Sequence, residues 1–230
     1  MTEVLTNIWN KDFDPTSDVA HLTNEEISVL LVVLFAAWCF VGYLHTYIPF
    51  ERLGMDKGQK ADSQNRVVSI YHGLISLALS SYYLYCNGLS GIRYGQECNV
   101  FEALTLINTT SYFLYDLTGL YLTNILDTFC VVHHGMCVIA MFACLYAKNG
   151  SGEIVGCIFV SEGSNPCMHM RVLLQHVNLR YTKLYERLEY AFMLLYVWGR
   201  VYIGTSINYN GVMHPDSHIL IKLGGTGVSI

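Results

Sequence analysis

Two adjacent histidines, His133 and His134, lie inside an apolar segment long enough to cross a membrane. An unpaired imidazole is unfavourable in hydrocarbon, so an ionisable residue at membrane depth is a hypothesis of a functional site. A neutral imidazole beside a carboxylate can act as a general base, because the carboxylate fixes its tautomer and stabilises the imidazolium that forms. Histidine can also accept an acyl group covalently. The pair therefore indicates acyl transfer or proton relay, with Asp116 as the orienting carboxylate.

Further polar residues interrupt the other apolar segments and extend this candidate site. Counting ~1.5 Å per residue from the predicted inner helix ends places His72, Asp116, His133 and His169 at one level. Adjacent residues on a helix diverge by ~100°, so one histidine of the pair is expected to face a cavity and the other a neighbouring helix. The residues predicted to line a lipid-binding cavity with the catalytic His133, His134 and Asp116 are His72, Glu162, Asn165, His169, Arg171 and Arg200.

A structural interpretation competes with the functional one for several of these residues. A single histidine in a membrane helix is also explained by a hydrogen bond to the next helix. Glu162 and Arg200 fall at a similar depth, where they could neutralise each other as an ion pair or clamp a substrate. Pro166 breaks the helix that carries Glu162, which is tolerated where the backbone is buried in protein or lines a polar cavity.

A His–Asp–His metal site is conceivable, since imidazole and carboxylate suit iron or zinc, but the residue spacings do not lead us to expect metal ligation. No histidine follows a glutamate at the spacing that di-metal helical bundles use, and no CxxC motif occurs. Cys130, Cys137 and Cys144 recur every seven residues, which is typical of small-residue packing between membrane helices. No cofactor is firmly implied, although acyl-CoA is a conceivable substrate.

Composition places the chain among membrane proteins. Its 230 residues are 53% hydrophobic and 13% charged, against roughly 25% charged in soluble domains. A net charge of -5 and the lack of a basic tract with interleaved aromatics argue against nucleic acid. The fold class expected is an all-α integral membrane bundle around a central cavity. Its predicted spans are 27–48, 67–86, 103–122, 127–147, 153–174 and 188–208, each near the ~20 residues needed to cross a bilayer.

The ends of the chain flank this predicted transmembrane domain of residues 27–208. Residues 1–26 form a polar, acidic arm that resembles neither a signal peptide nor an organelle presequence. In residues 209–230, a segment from His218 to Ile230 is apolar but short and rich in glycine, so it is a weak candidate for a seventh span. The loops at 49–66 and 175–187 are rich in Lys and Arg, so the positive-inside rule places the amino terminus outside.

These motifs resemble the TLC-domain family, which includes the ceramide synthases and shorter, poorly characterised members. The matching segments are Arg66-x-x-Ser69-x-x-His72, Ser111-Tyr112-Phe113-x-x-Asp116, His133-His134, Glu162-x-x-Asn165-Pro166-x-x-x-x-Arg171 and Phe192 to Arg200. The resemblance covers about residues 30–208. It implies a bundle of six helices around a cavity, with the histidine pair and Asp116 facing inward and an endoplasmic reticulum location.

The chain departs from the ceramide synthases in one important respect, besides lacking the homeobox-like insert of many of them and having a reduced last span after His218. Their second acidic motif, His-Asp with a further Asp, is replaced here by Ser161 to Asn165, which argues against ceramide synthesis itself. Two functions remain open. One is binding or remodelling of a sphingolipid or phospholipid, with acyl transfer through the histidines. The other is a structural subunit of a larger assembly, such as a mitochondrial inner-membrane complex, whose partner would order the polar amino-terminal arm.

Overall fold

The computed structural model describes residues 2–17, 21–217, 219 and 222, and these are helical with short connecting loops. No β-strand occurs in this described part of the chain, so the predicted all-α class is confirmed. A π-helical stretch, Val197–Gly204, connects the α-helix that ends at Tyr196 directly to the α-helix that begins at Thr205. The α-helices found there are α1 Thr2–Trp9, α2 Asn24–His45, α3 Lys57–Asn87, α4 Val100–Leu122, α5 Thr128–Ala147, α6 Ser151–Glu162, α7 Asn165–His176, α8 Lys183–Tyr196 and α9 Thr205–Met213.

Among the described helices, α2, α3 and α5 are each long and apolar enough to cross a membrane. The chain is therefore an integral membrane protein. Helix α4, the broken helix α6–α7 and the continuous α8–α9 helix occupy the other three predicted spans. The count of six spans and the central cavity stay predictions. The segment from His218 to Ile230 falls almost entirely outside the described residues.

Side-chain caps fix where the long helices begin. Thr23, Asp56 and Asn99 each accept a hydrogen bond from the third residue of the following helix, and Glu or Gln at that third position bonds back. Such capping boxes satisfy amide groups that a helix end leaves unpaired. The box at Asp56 starts α3 ten residues before the predicted span at 67, because the cap determines the helix start and hydrophobicity does not.

Helix α4 is the centre of the bundle. It packs against α2, α3, α5 and α6, while α3 also packs against α6 and α7. The core between these helices includes Leu106 and Ile107 of α4, Tyr83 of α3 and Val155 of α6, all with negligible exposure. Helix α5 contacts α4 and α6, and α7 contacts α3 and α8. The α4–α5 contact therefore positions the histidine pair opposite the polar residues of α4.

The amino-terminal arm packs on the bundle of its own chain. Asn87 and Asn99 donate hydrogen bonds to the carbonyl of Pro15, at 3.2 and 3.1 Å. Lys11 donates to Glu26 at 2.8 Å, and Leu22 is 2% exposed. The expectation that a partner chain would be needed to order this arm is wrong, because residues of α2, α3 and α4 supply its contacts.

Close packing of the π-helical stretch against α6 leads to a stability prediction. A Cβ at Gly199 would lie 2.9 Å from the backbone carbonyl oxygen of Val160, which cannot move aside as a flexible side chain would. Gly199→Ala should therefore lower the free energy of unfolding by about 1–3 kcal/mol, as overpacking does. The measurement is equilibrium unfolding in bicelles by SDS titration.

Gly135 of α5 offers the matched control for that substitution. Apart from its chain neighbours and the nearby backbone of its own helix, no atom of the described residues lies within 4 Å of the position of its missing Cβ. Gly135→Ala should raise stability by about 0.4–1 kcal/mol, because alanine favours the helix and restricts the unfolded chain. Equal effects of the two substitutions would contradict the packing argument.

Candidate functional site

His134 and Asp116 form the polar contact between α5 and α4. Asp116 Oδ2 lies 3.0 Å from His134 Nδ1, and the aspartate is almost fully buried. The predicted contact of Asp116 with one histidine of the pair is therefore confirmed. A hydrogen bond of this kind assigns the proton to Nδ1, since a carboxylate can only accept it. No described residue makes a hydrogen bond to Nε2, and the His134 side chain is 18% exposed.

Polar side chains of α3 and α4 hold Asp116 in place. Asn65 Nδ2 donates to Asp116 Oδ1 at 2.7 Å, and the Tyr112 hydroxyl lies 3.4 Å from the same oxygen. That hydroxyl also donates to Ser69 Oγ at 2.8 Å. The His134 ring stacks on Phe113, with centroids 4.6 Å apart and the planes nearly parallel. The carboxylate and the imidazole are therefore both fixed in orientation by neighbouring groups.

His133 has a different environment from His134. Its ring stacks on Phe129 of its own helix, at 6.2 Å between centroids, and lies 5.5 Å from the His134 ring at 51°. No carboxylate pairs with it in the described part of the chain. The two histidines diverge as helical geometry predicts, and only His134 has an orienting partner.

His72 is packed into an aromatic cluster. It is 1% exposed, stacks on Tyr112 at 3.8 Å between centroids and meets the edge of Trp38. Its Nε2 atom lies 2.9 Å from Ser76 Oγ. The structure thus gives His72 a satisfied, buried position where a cavity-lining role was expected. It contributes to the site by supporting Tyr112, which in turn contacts Asp116.

The Asn165 side chain lies between Glu162 and Arg200. A direct ion pair between these two residues was expected, and the structure does not have it. Asn165 donates to Glu162 Oε2 at 3.0 Å and accepts from Arg200 at 2.9 Å. The two charged side chains are instead linked through the Asn165 side-chain amide, because the helix break after Glu162 places that amide between them. Gly73 of α3 faces this network, and a Cβ there would lie 3.0 Å from Glu162 Oε2.

The break between α6 and α7 explains why Arg200 reaches α6. Helix α6 ends at Glu162 and α7 begins at Asn165, so carbonyl groups at the end of α6 lack partners within the helix. Arg200 donates to one of them, the carbonyl of Ser161, at 3.2 Å. Arg200 itself lies in the π-helical stretch, a distortion often found at functional sites. Its Nε atom is buried with no hydrogen-bond partner in the described structure.

The remaining predicted residues lie on α7. His169 Nδ1 is 3.4 Å from a guanidinium nitrogen of Arg66. Arg171 donates to Glu189 of α8 at 3.1 Å and lies over the Phe192 ring. Arg171 is thus paired with Glu189, while its Nε atom is buried with no hydrogen-bond partner among the described residues.

Two clefts lie away from the histidines. One of about 260 Å³ is lined by Leu77, Phe159, Leu195 and Trp198, between α3, α6 and α8. Another of about 310 Å³ lies near Tyr94 and Tyr202. The first is apolar and passes beside Gly163 and Gly199, the neighbours of Glu162 and Arg200. It therefore adjoins the bridged network, and the Asp116–His134 contact lies elsewhere.

Asn65 and Cys130 are the site residues that sequence reasoning missed. Asn65 precedes the predicted start of the second span, but it shares a face of α3 with Ser69 and His72 at helical spacing. Cys130 Sγ lies 3.6 Å from His134 Nδ1, one turn earlier on α5. The signal that could have found both is the i, i+3 or i+4 spacing from residues already selected.

The fold and the site together define an integral membrane protein made of helices, with a histidine–aspartate pair between two of them. The family model for the TLC domain matches residues 62–219, which is more than half of the chain. The chain belongs to the TLC-domain family, which confirms the family resemblance of its sequence motifs. The match includes Asp116, both histidines, Glu162 and Arg200.

Proposed function

We propose that this protein binds a membrane lipid and transfers an acyl group, with His134 as the general base and Asp116 as its orienting partner. TLC-domain membership makes it a membrane protein of a lipid-related family. The observation that carries the proposal is the oriented imidazole. Asp116 holds Nδ1 at 3.0 Å, so the free Nε2 atom presents its lone pair at a partly exposed position.

The proposed reaction uses that lone pair for one proton transfer in each direction. His134 Nε2 takes the proton from a hydroxyl or amine of the acceptor lipid as that group attacks the acyl carbon. The new acyl–oxygen or acyl–nitrogen bond forms, and the donor's ester or thioester bond breaks. The imidazolium then returns the proton to the departing alkoxide or thiolate. Asp116 stabilises the imidazolium between the two transfers. Acyl-CoA is the proposed donor for the thioester case.

A structural subunit of a membrane assembly is the second candidate. The absence of the ceramide synthase acidic motif around Ser161 favours it, because the chain has Glu162 there in place of His-Asp with a further Asp. The packed His72 also fits a protein that has filled its interior. The amino-terminal arm no longer supports this candidate, since the arm packs on its own chain. The endoplasmic reticulum is the location proposed with lipid turnover, and the mitochondrial inner membrane with the subunit role.

Native mass spectrometry of the protein, extracted gently from its own membrane, separates the two functions. We expect a monomer or small homo-oligomer that carries a lipid exchangeable with added lipid. The same preparation should then transfer a radiolabelled acyl chain from acyl-CoA or a phospholipid to a lipid acceptor. A large hetero-complex with a non-exchanging lipid, and no acyl transfer, would contradict lipid turnover and support the subunit role.

A further inference from the structure

We infer that Asp116, Cys130 and His134 form a binding site for a zinc-class metal ion. Their ligand atoms, Oδ2, Sγ and Nδ1, all lie within 4.8 Å of one another. Nδ1 is 3.0 Å from the carboxylate oxygen and 3.6 Å from the sulfur. A tetrahedral ion with bonds of about 2.0–2.3 Å keeps such neighbours roughly 3.3–3.6 Å apart. Both distances from Nδ1 are close to these values, and the carboxylate–sulfur distance, which is within 4.8 Å, would shorten to the same range around an ion.

The backbone positions these ligands through two helices. Cys130 and His134 are four residues apart on α5, so they share one face of it, and Asp116 faces them from α4. The Cys130 amide donates to Asp127 Oδ1 at 2.8 Å, which fixes the first turn of α5. Stacking on Phe113 fixes the imidazole ring.

Asn65 supplies the outer contact that metal ligands usually have. Its amide donates to Asp116 Oδ1, which leaves Oδ2 for the ion. Hydrogen bonds of this kind to ligating carboxylates orient them and strengthen metal binding. The site is therefore held in place before the ion arrives.

Charge and donor type select the ion. A thiolate and a carboxylate cancel the two charges of a divalent ion, and the neutral imidazole adds none, so the complex is neutral at membrane depth. Sulfur, nitrogen and oxygen donors together suit zinc, whereas magnesium and calcium prefer oxygen alone. Three protein ligands leave a fourth position for water.

Binding is balanced in protons. The Cys130 thiol loses one proton to solvent, and the His134 proton moves from Nδ1 to Nε2 when Nδ1 takes the ion. Both side chains are partly exposed within the first two turns of α5, which gives the ion a path from the aqueous end of the helix.

A consequence for turnover rests on the proposed function. The ion would use the same Nδ1 and Oδ2 atoms that make His134 a base, and Nε2 would then carry the proton. Metal binding and base catalysis therefore exclude each other, and zinc should inhibit acyl transfer reversibly.

The test titrates metal-free protein in lipid nanodiscs with Zn²⁺ and measures bound metal by equilibrium dialysis. We expect one ion per chain with release of one proton. Cys130→Ser should weaken binding by about tenfold or more, and Asn65→Ala, which keeps all three ligands, by about 10–100-fold. Cys137→Ser, on the same helix one heptad later, is the control and should bind zinc as the unaltered chain does.

Two results would overturn the site. One is an absence of saturable zinc binding by the unaltered chain. The other is equal affinity in the Cys130→Ser and Cys137→Ser proteins. Because dialysis requires no turnover, failure of the metal site leaves the proposed reaction standing. If metal-free protein shows no acyl transfer but the chain still binds zinc, the proposed reaction is contradicted and the zinc site is not.

Discussion

Glu102→Gln should be among the most destabilising single substitutions in this chain, lowering the free energy of unfolding by about 3–5 kcal/mol. Arg93 Nε donates to Glu102 Oε1 at 3.0 Å, and the two side chains are only 7% and 1% exposed. Ser151 donates to the other oxygen at 2.7 Å. The amide would remove the negative charge that lies 3.0 Å from the buried Arg93 guanidinium. The measurement is SDS titration in bicelles, with bundle unfolding followed by circular dichroism.

A second ion pair provides the control for Glu102→Gln. Glu189 accepts from Arg171 at a similar distance, 3.1 Å, but its side chain is 41% exposed. Glu189→Gln should change stability by no more than about 1 kcal/mol, because water screens exposed pairs. The double substitution Arg93→Met with Glu102→Gln should recover part of the loss, since it removes both charges. Similar losses at Glu102 and Glu189 would contradict the effect of burial.

Most of the helical framework follows from local sequence signals. Runs of apolar residues locate the long helices, and the caps at Thr23 and Asn99 lie close to the predicted helix starts. The start of α3 was missed because its first ten residues, 57–66, are mostly polar, so hydrophobicity marks only the later, apolar part of the helix and not its beginning. The break at Pro166 was predictable, since proline acts on the backbone locally.

The site was only partly predictable because its contacts depend on helix rotation. Asp116 was expected to meet a histidine, since a buried carboxylate and imidazole on neighbouring helices stabilise each other. Which histidine it meets depends on the orientation of α5 around its axis, which hydrophobicity does not determine when a helix is apolar on most sides. The Asn165 bridge depends on the geometry of the helix break, which places the Asn165 side-chain amide between Glu162 and Arg200.

Cys130 shows a different limitation of sequence reasoning. The sequence argued against a metal because no histidine follows a glutamate at the spacing of di-metal helical bundles. The trio found here combines a Cys–His spacing of four residues on α5 with a carboxylate from α4. Its two halves are 14 residues or more apart in sequence, and only the packing of α4 on α5 relates them. The cysteine heptad favoured a packing role, which Cys144 does have, being 2% exposed in the core.

The adjacent histidines should differ sharply in their effect on acyl transfer. His134→Ala removes the oriented base and should lower the rate by about 10²–10⁴-fold, the usual contribution of general base catalysis. Asp116→Asn should cause a loss of the same order, because the amide can donate to Nδ1 and hold the imidazole in the wrong tautomer. His133→Ala should reduce the rate less than about tenfold, since His133 has no carboxylate partner among the described residues. The measurement is the initial rate of labelled acyl transfer in nanodiscs.

His133→Ala is the matched control for His134→Ala, because it removes the same side chain from the next position of the same helix. Retention of bound lipid in the native mass spectrum and a cooperative melting transition above the assay temperature would show that each variant is folded. If rates fall equally for both histidines, the Asp116 contact does not select the base. If His134→Ala keeps the full rate, His134 is not the base, and the buried Asp116–His134 contact stabilises the packing of α4 on α5 as a hydrogen bond alone.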